Sequence, residues 1–162
     1  MFRLFGKQKT NAIPDNSEGF FGKTGNGTLD LHLSKTDDLL DSRPRSLAVS
    51  IGEGDFDAIY KSALESKGLT PLDTSGDYDW EKYAANRRSF ISAFPQYPMI
   101  VSFMDMYQDY ILRPTEIASL LSECHGLQRL EMSEAADLAL RKILYGCYAA
   151  QISEHYLVFI CD

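Results

Sequence analysis

Tyr156-Leu157-Val158-Phe159-Ile160-Cys161 is a continuous apolar run just before the final aspartate of the chain. A strand with one solvated face alternates apolar and polar residues. An unbroken β-favouring run has to be covered on both faces, so this segment is expected at the centre of a sheet. Its partners lie far upstream. Leu29, Leu31 and Leu33 alternate with Asp30, His32 and Ser34, the period of a half-buried strand, and the turn dipeptide Asn26-Gly27 precedes them. Leu47, Val49 and Ile51 alternate in the same way with Ala48 and Ser50. Thr36 to Arg45 is polar and contains Pro44, a connection short enough to make these two strands an antiparallel pair.

Between the second strand and the terminal run, the period changes to that of helices. Gly52-Glu53-Gly54 breaks the strand, and Asp55 is the expected N-cap of a helix with Phe56, Ile59, Tyr60, Ala63 and Leu64 on one stripe and Lys67-Gly68 at its close. After a polar loop at 69–79, a second helix is expected from Trp80 to about Phe94, with Trp80, Tyr83, Ala84, Ile91 and Phe94 inward. The stretch from Pro98 to Pro114 is ambiguous. Met99 to Met104 has the look of a buried strand, while Tyr97, Ile100, Val101, Met104 and Ile111 also fit a helical face, and its length favours helix. Thr115 is the expected cap of a helix carrying Ile117, Leu120, Leu121 and Cys124, and Ser133 that of the longest helix, with Leu140, Ile143, Leu144 and Cys147. The fold class that follows is α+β. One domain over 28–162 has a small, mostly antiparallel sheet from 28–34, 46–51 and 156–161 packed by about five helices, preceded by a glycine-rich flexible arm at 1–27.

The 162 residues suit one domain, at 44% hydrophobic and 24% charged. No stretch approaches the ~20 unbroken apolar residues of a membrane-spanning helix, and residues 1–7 lack a secretory apolar core. The net charge of −7 repels nucleic-acid phosphates and anionic lipid, so neither is an expected partner. The first thirteen residues hold Arg3, Lys7 and Lys9 and no acid, which leaves 13 bases against 23 acids in the rest. Three cysteines without metal-ligand spacing, all in apolar segments, read as reduced core residues of a cytoplasmic protein.

Each motif with catalytic colour has a plainer reading. Gly22-Lys23-Thr24 lacks the upstream glycine of a phosphate loop, with Ser17 in its place, and no helix opens at Gly25-Asn26-Gly27. Asp73, Asp77, Asp79 and Glu81 alternate like calcium ligands, but Gly76 stands fourth from Asp73 and Ala84 twelfth, where a calcium loop needs glycine sixth and glutamate twelfth. Cys124-His125 adjoins Glu123, an acidic setting that works against a thiolate, and Cys124 belongs to the apolar stripe. Asp105 and Asp109, four apart, would stack on one helical face and could serve a small metal-dependent hydrolase. His32, His125 and His155 are scattered, and nothing completes such a site. No cofactor is expected.

What remains is a surface on which acids and aromatics intermingle, a composition suited to a basic protein partner. The expected binding residues are Asp77, Tyr78, Asp79, Trp80, Asp105, Tyr107 and Asp109, with Tyr78 or Tyr107 as the anchor. Trp80 opens a helical stripe, and core is favoured for it. Arg113-Pro114-Thr115-Glu116-Ile117-Ala118-Ser119-Leu120-Leu121-Ser122-Glu123, the alanine-rich helix after it and the terminal apolar run form a layout over residues 95–162 that resembles small bacterial immunity proteins. The resemblance implies binding and inhibition of a cognate toxin protein, with no catalytic residue. A self-associating adaptor is the further alternative to that inhibitor and to the hydrolase.

Overall fold

A computed structural model of the chain describes residues 28–40, 45–75, 79–102 and 109–161. The arm at 1–27, with Gly22-Lys23-Thr24, lies outside the described residues, as do Asp77, Tyr78, Asp105 and Tyr107. Among the described residues, four strands and five helices follow in the order β1 (Thr28–Ser34), β2 (Ser46–Gly52), α1 (Glu53–Ser66), α2 (Trp80–Ala93), α3 (Pro98–Ser102), β3 (Tyr110–Leu112), α4 (Pro114–Leu127), α5 (Glu134–Ser153) and β4 (Tyr156–Cys161).

The sheet is antiparallel throughout, in the order β2-β1-β4-β3. The terminal run is inner, as its hydrophobicity demands: β4 pairs with β1 on one side and β3 on the other, and Leu157, Val158 and Phe159 are each wholly buried. Successive strand residues point to opposite faces, so this burial is two-sided. Leu29 and Leu31 of β1 face the helical layer together with Val49 and Ile51 of β2. The β1–β2 register slips between Leu31 and His32, where Leu31 opposes Val49 and His32 opposes Leu47, leaving Ala48 as a bulge residue. The fourth strand, β3, differs from the expectation. Among the described residues, the stretch expected as one helix holds the five-residue α3, and Tyr110–Leu112 pairs in register with Leu157–Phe159. Pairing with the apolar terminal strand outweighs local helical spacing there.

Helix α5 is the spine of the other layer. Gly146 lets it lie directly on the sheet, because a Cβ there would come 2.7 Å from Leu31 Cδ2 and 3.5 Å from Leu157 Cδ1. Its N-cap is Ser133, as expected, whose hydroxyl accepts from Ala136 N–H and also from the Ser62 hydroxyl of α1. On α5, Lys142 is 4% exposed, and its ammonium donates to the Ser50 carbonyl of edge strand β2 at 2.8 Å. Burial lowers its pKa, against the opposing pull of Asp55.

Two helices start two or three residues before their expected places, while α2 and α5 start where expected. Helix α1 begins at Glu53, with Gly52 rather than Asp55 at the cap, and all five stripe residues are buried. It closes as expected: Gly68, at φ 72°, donates to Glu65 O while Leu69 donates to Leu64 O, the paired bonds of a Schellman ending. Helix α4 starts at Pro114 rather than after Thr115, and Glu116 accepts from the Arg113 N–H at 2.8 Å. Glu123, on the same helix, turns inward and takes the Met99 and Ile100 N–H groups at 2.9 and 2.8 Å, capping α3 from outside its own sequence. Burial raises its pKa, and the two N–H bonds pull the other way.

Candidate functional site

Three of the seven expected binding residues, Asp79, Trp80 and Asp109, are among the described residues. Asp79 is the N-cap of α2, its carboxylate accepting from Glu81 N–H at 3.1 Å and Lys82 N–H at 3.3 Å, with Lys82 Nζ 3.6 Å away. Asp109 is exposed and immediately precedes β3, on neither α3 nor any other helix. Helical stacking of Asp105 with Asp109 therefore finds no support at the one member described.

Trp80 is not core. It is 39% exposed, and Ile91 on the same side of α2 is 44% exposed. The inward face is Tyr83, Asn86 and Phe90, with Phe94 just beyond the helix. An apolar-only reading of the stripe takes Trp80, Ala84 and Ile91 and passes over Asn86, whose amide is buried because it serves the backbone. It donates to the Leu72 carbonyl at 2.9 Å and accepts the Leu72 N–H at 2.8 Å. Two hydrogen bonds make a polar residue the better core member here, and the helix is rotated accordingly.

Trp80 is nonetheless firmly supported. Its ring stacks on Tyr83 with centroids 5.7 Å apart and planes 27° apart. From Tyr83 the ring contacts continue inward to Tyr60 at 6.1 Å, Phe90 at 5.0 Å and Phe94, then out to Tyr97. Trp80 is the more exposed end of this aromatic ladder. Burial holds the Tyr60 phenol well above its ordinary pKa, so it stays neutral within the ladder. On the next turns, Arg87 donates to the Val101 carbonyl at 3.0 Å and ties α2 to the end of α3.

The loop leading to Trp80 is pinned by a group the sequence reading missed. Asp57, 6% exposed on α1, accepts the Thr74 hydroxyl, and Lys61 Nζ donates to the same hydroxyl at 3.3 Å. The other Asp57 carboxylate oxygen is buried with no hydrogen-bond partner. Burial raises the Asp57 pKa, and the Thr74 bond and Lys61 offset part of that rise. Nothing in the order Asp57…Thr74 announces the pair, because it depends on how the loop folds back over α1.

Asp73 accepts the Ser75 N–H at 2.9 Å, which lowers its pKa, and Asp79 caps a helix, so two acids of the calcium-like stretch are engaged with backbone N–H groups. Among the described residues no group of three or more His, Cys, Asp or Glu side chains is placed to hold a metal ion. Cys124 and Cys147 are buried free thiols whose pKa values burial raises, so neither is a thiolate nucleophile at neutral pH. The neighbour of His125 is the Tyr148 hydroxyl, 2.8 Å from its Nε2.

The arrangement thus offers a supported, half-exposed indole beside a capping carboxylate. No helix of the described residues is long and apolar enough to cross a membrane. Comparison with protein families, with characterised proteins and with solved structures finds no match.

Proposed function

We propose that this protein is an immunity-type inhibitor that binds a cognate toxin protein through the surface at the N-terminal end of α2. The observation that carries the reading is Trp80, a tryptophan kept 39% exposed although a buried aromatic ladder stands directly behind it. Tryptophan on a rigid support is the residue type most often dominant at protein interfaces. The acids around it, Asp79 and Glu81, and the chain's net charge of −7 favour a basic partner and fast, electrostatically steered association. Blocking of the toxin's active site or substrate channel is the inhibitory act.

The test is to express the chain with the product of the gene beside its own. A tight complex, and rescue of cell growth when the neighbour is toxic, supports the reading. Failure to bind that product or to protect from it refutes the reading.

A further inference from the structure

The side of α2 turned away from the core carries a groove that the Trp80 surface does not use. Leu69, just after α1, forms one wall. Arg88, Ser89, Ser92 and Ala93 form the other, and the space between is about 490 Å³ and open to solvent. Ser92 lies four residues from Arg88 and three from Ser89 on the helix, the spacings that share a side, so it links the arginine and the first serine into one surface. Leu69 is 47% exposed, as is Leu72 three residues on. Their loop is nevertheless fixed, because the Asn86 amide holds Leu72 through both of its backbone groups. These leucines are held outward by a rigid loop.

Charge in this region runs against the rest of the chain. From Lys82 to Ser102 there are three bases and no acid, in a protein of net charge −7. Lys82 lies 3.6 Å from Asp79, and Arg87 is spent on the Val101 carbonyl. Arg88 is exposed and has no ion pair or hydrogen bond among the described residues. Lys67 adds a second cation at the same end of α2, donating to the Ala93 carbonyl and lying 4.2 Å over the Phe94 ring.

We propose that this groove docks an acidic, apolar segment of a partner protein. A carboxylate of that segment pairs with the Arg88 guanidinium, whose planar fork suits bidentate recognition. A neighbouring apolar side chain settles against Leu69 and Ala93. A small-molecule site encloses most of its ligand, which a space this open does not do, so an extended segment is the fitting occupant. The groove lies towards the C-terminal end of α2, Trp80 at its start, and the proposal does not rest on the toxin-inhibitor reading.

Selection of phage-displayed random dodecapeptides on the immobilised full chain tests it. Enriched sequences are then measured as synthetic peptides against wild type, Arg88→Glu, Leu69→Ser and Trp80→Ala, with circular dichroism confirming that each variant is folded. The enriched peptides should share a carboxylate within four residues of a large apolar side chain. Arg88→Glu should weaken them at least tenfold and Leu69→Ser severalfold, whereas Trp80→Ala should leave Kd within twofold. No enrichment, a basic consensus, or peptides indifferent to Arg88→Glu would overturn the proposal. Peptides lost with Trp80→Ala but retained by Arg88→Glu would also overturn it, while supporting the surface at the other end of the helix.

Discussion

A carboxylate as hidden as that of Asp57 makes folding sensitive to protons. Its pKa in the folded chain is raised by burial, so the folded state holds that proton more tightly than the unfolded one. Its contribution is therefore fully present below the unfolded value, about 4. It is lost as pH rises through the folded value. Asp57→Asn keeps an acceptor for Thr74 but cannot ionise. Urea unfolding at pH 4 and pH 7 should show the wild type losing ground to the variant at the higher pH. A gap that is constant or moves the other way would mean that Lys61 fully compensates the charge. Trp80 makes the complementary point. A fully buried tryptophan replaced by alanine costs roughly 3–5 kcal/mol. With 39% of it exposed and its ring stacked on Tyr83, Trp80→Ala should cost only about 1–2 kcal/mol and leave the cooperative transition intact.

Glycine at two helical positions separates propensity from packing. Gly54, in the first turn of α1, has nothing within 4 Å of the place a Cβ would occupy, so Gly54→Ala should stabilise by about 0.5–1 kcal/mol. At Gly146 the same helical gain meets the buried Leu31 methyl at 2.7 Å. Overpacking a filled core costs about 1–3 kcal/mol, so Gly146→Ala should destabilise despite the better helix former. Thermal melts of the two variants should move in opposite directions. At this scale the sequence was most legible where one signal acted alone. The alternation of β1 and β2, the unbroken run of β4, the stripe of α1 and the Ser133 cap all appear where periodicity and capping chemistry put them. The reading failed where a distant partner decided. Tyr110–Leu112 is a strand because β4 offers an open edge, and α2 is rotated because Asn86 finds the Leu72 backbone. The candidate site follows the same division. Asp79 as a carboxylate at the start of a helix was legible, whereas the exposure of Trp80 depended on that rotation.

For the whole molecule, the layered order β2-β1-β4-β3 under α5 leaves the aromatic ladder running from the core to solvent at Trp80. Charge acts over longer distances than that contact. At −7, association with a basic partner should slow by about tenfold or more as salt rises from low to several hundred millimolar, because the screening length shrinks to a few ångströms. Dissociation should respond little to salt and strongly to Trp80, since buried anchors govern residence time. Stopped-flow or surface-based kinetics resolves the two rates. The most direct test of the account is therefore to measure binding of wild type and Trp80→Ala to the product of the neighbouring gene, with unfolding curves on the same samples. The account predicts a folded variant whose affinity falls by at least about thirtyfold, the equivalent of 2 kcal/mol. A variant that unfolds, or one that stays folded and binds as tightly as wild type, would contradict it.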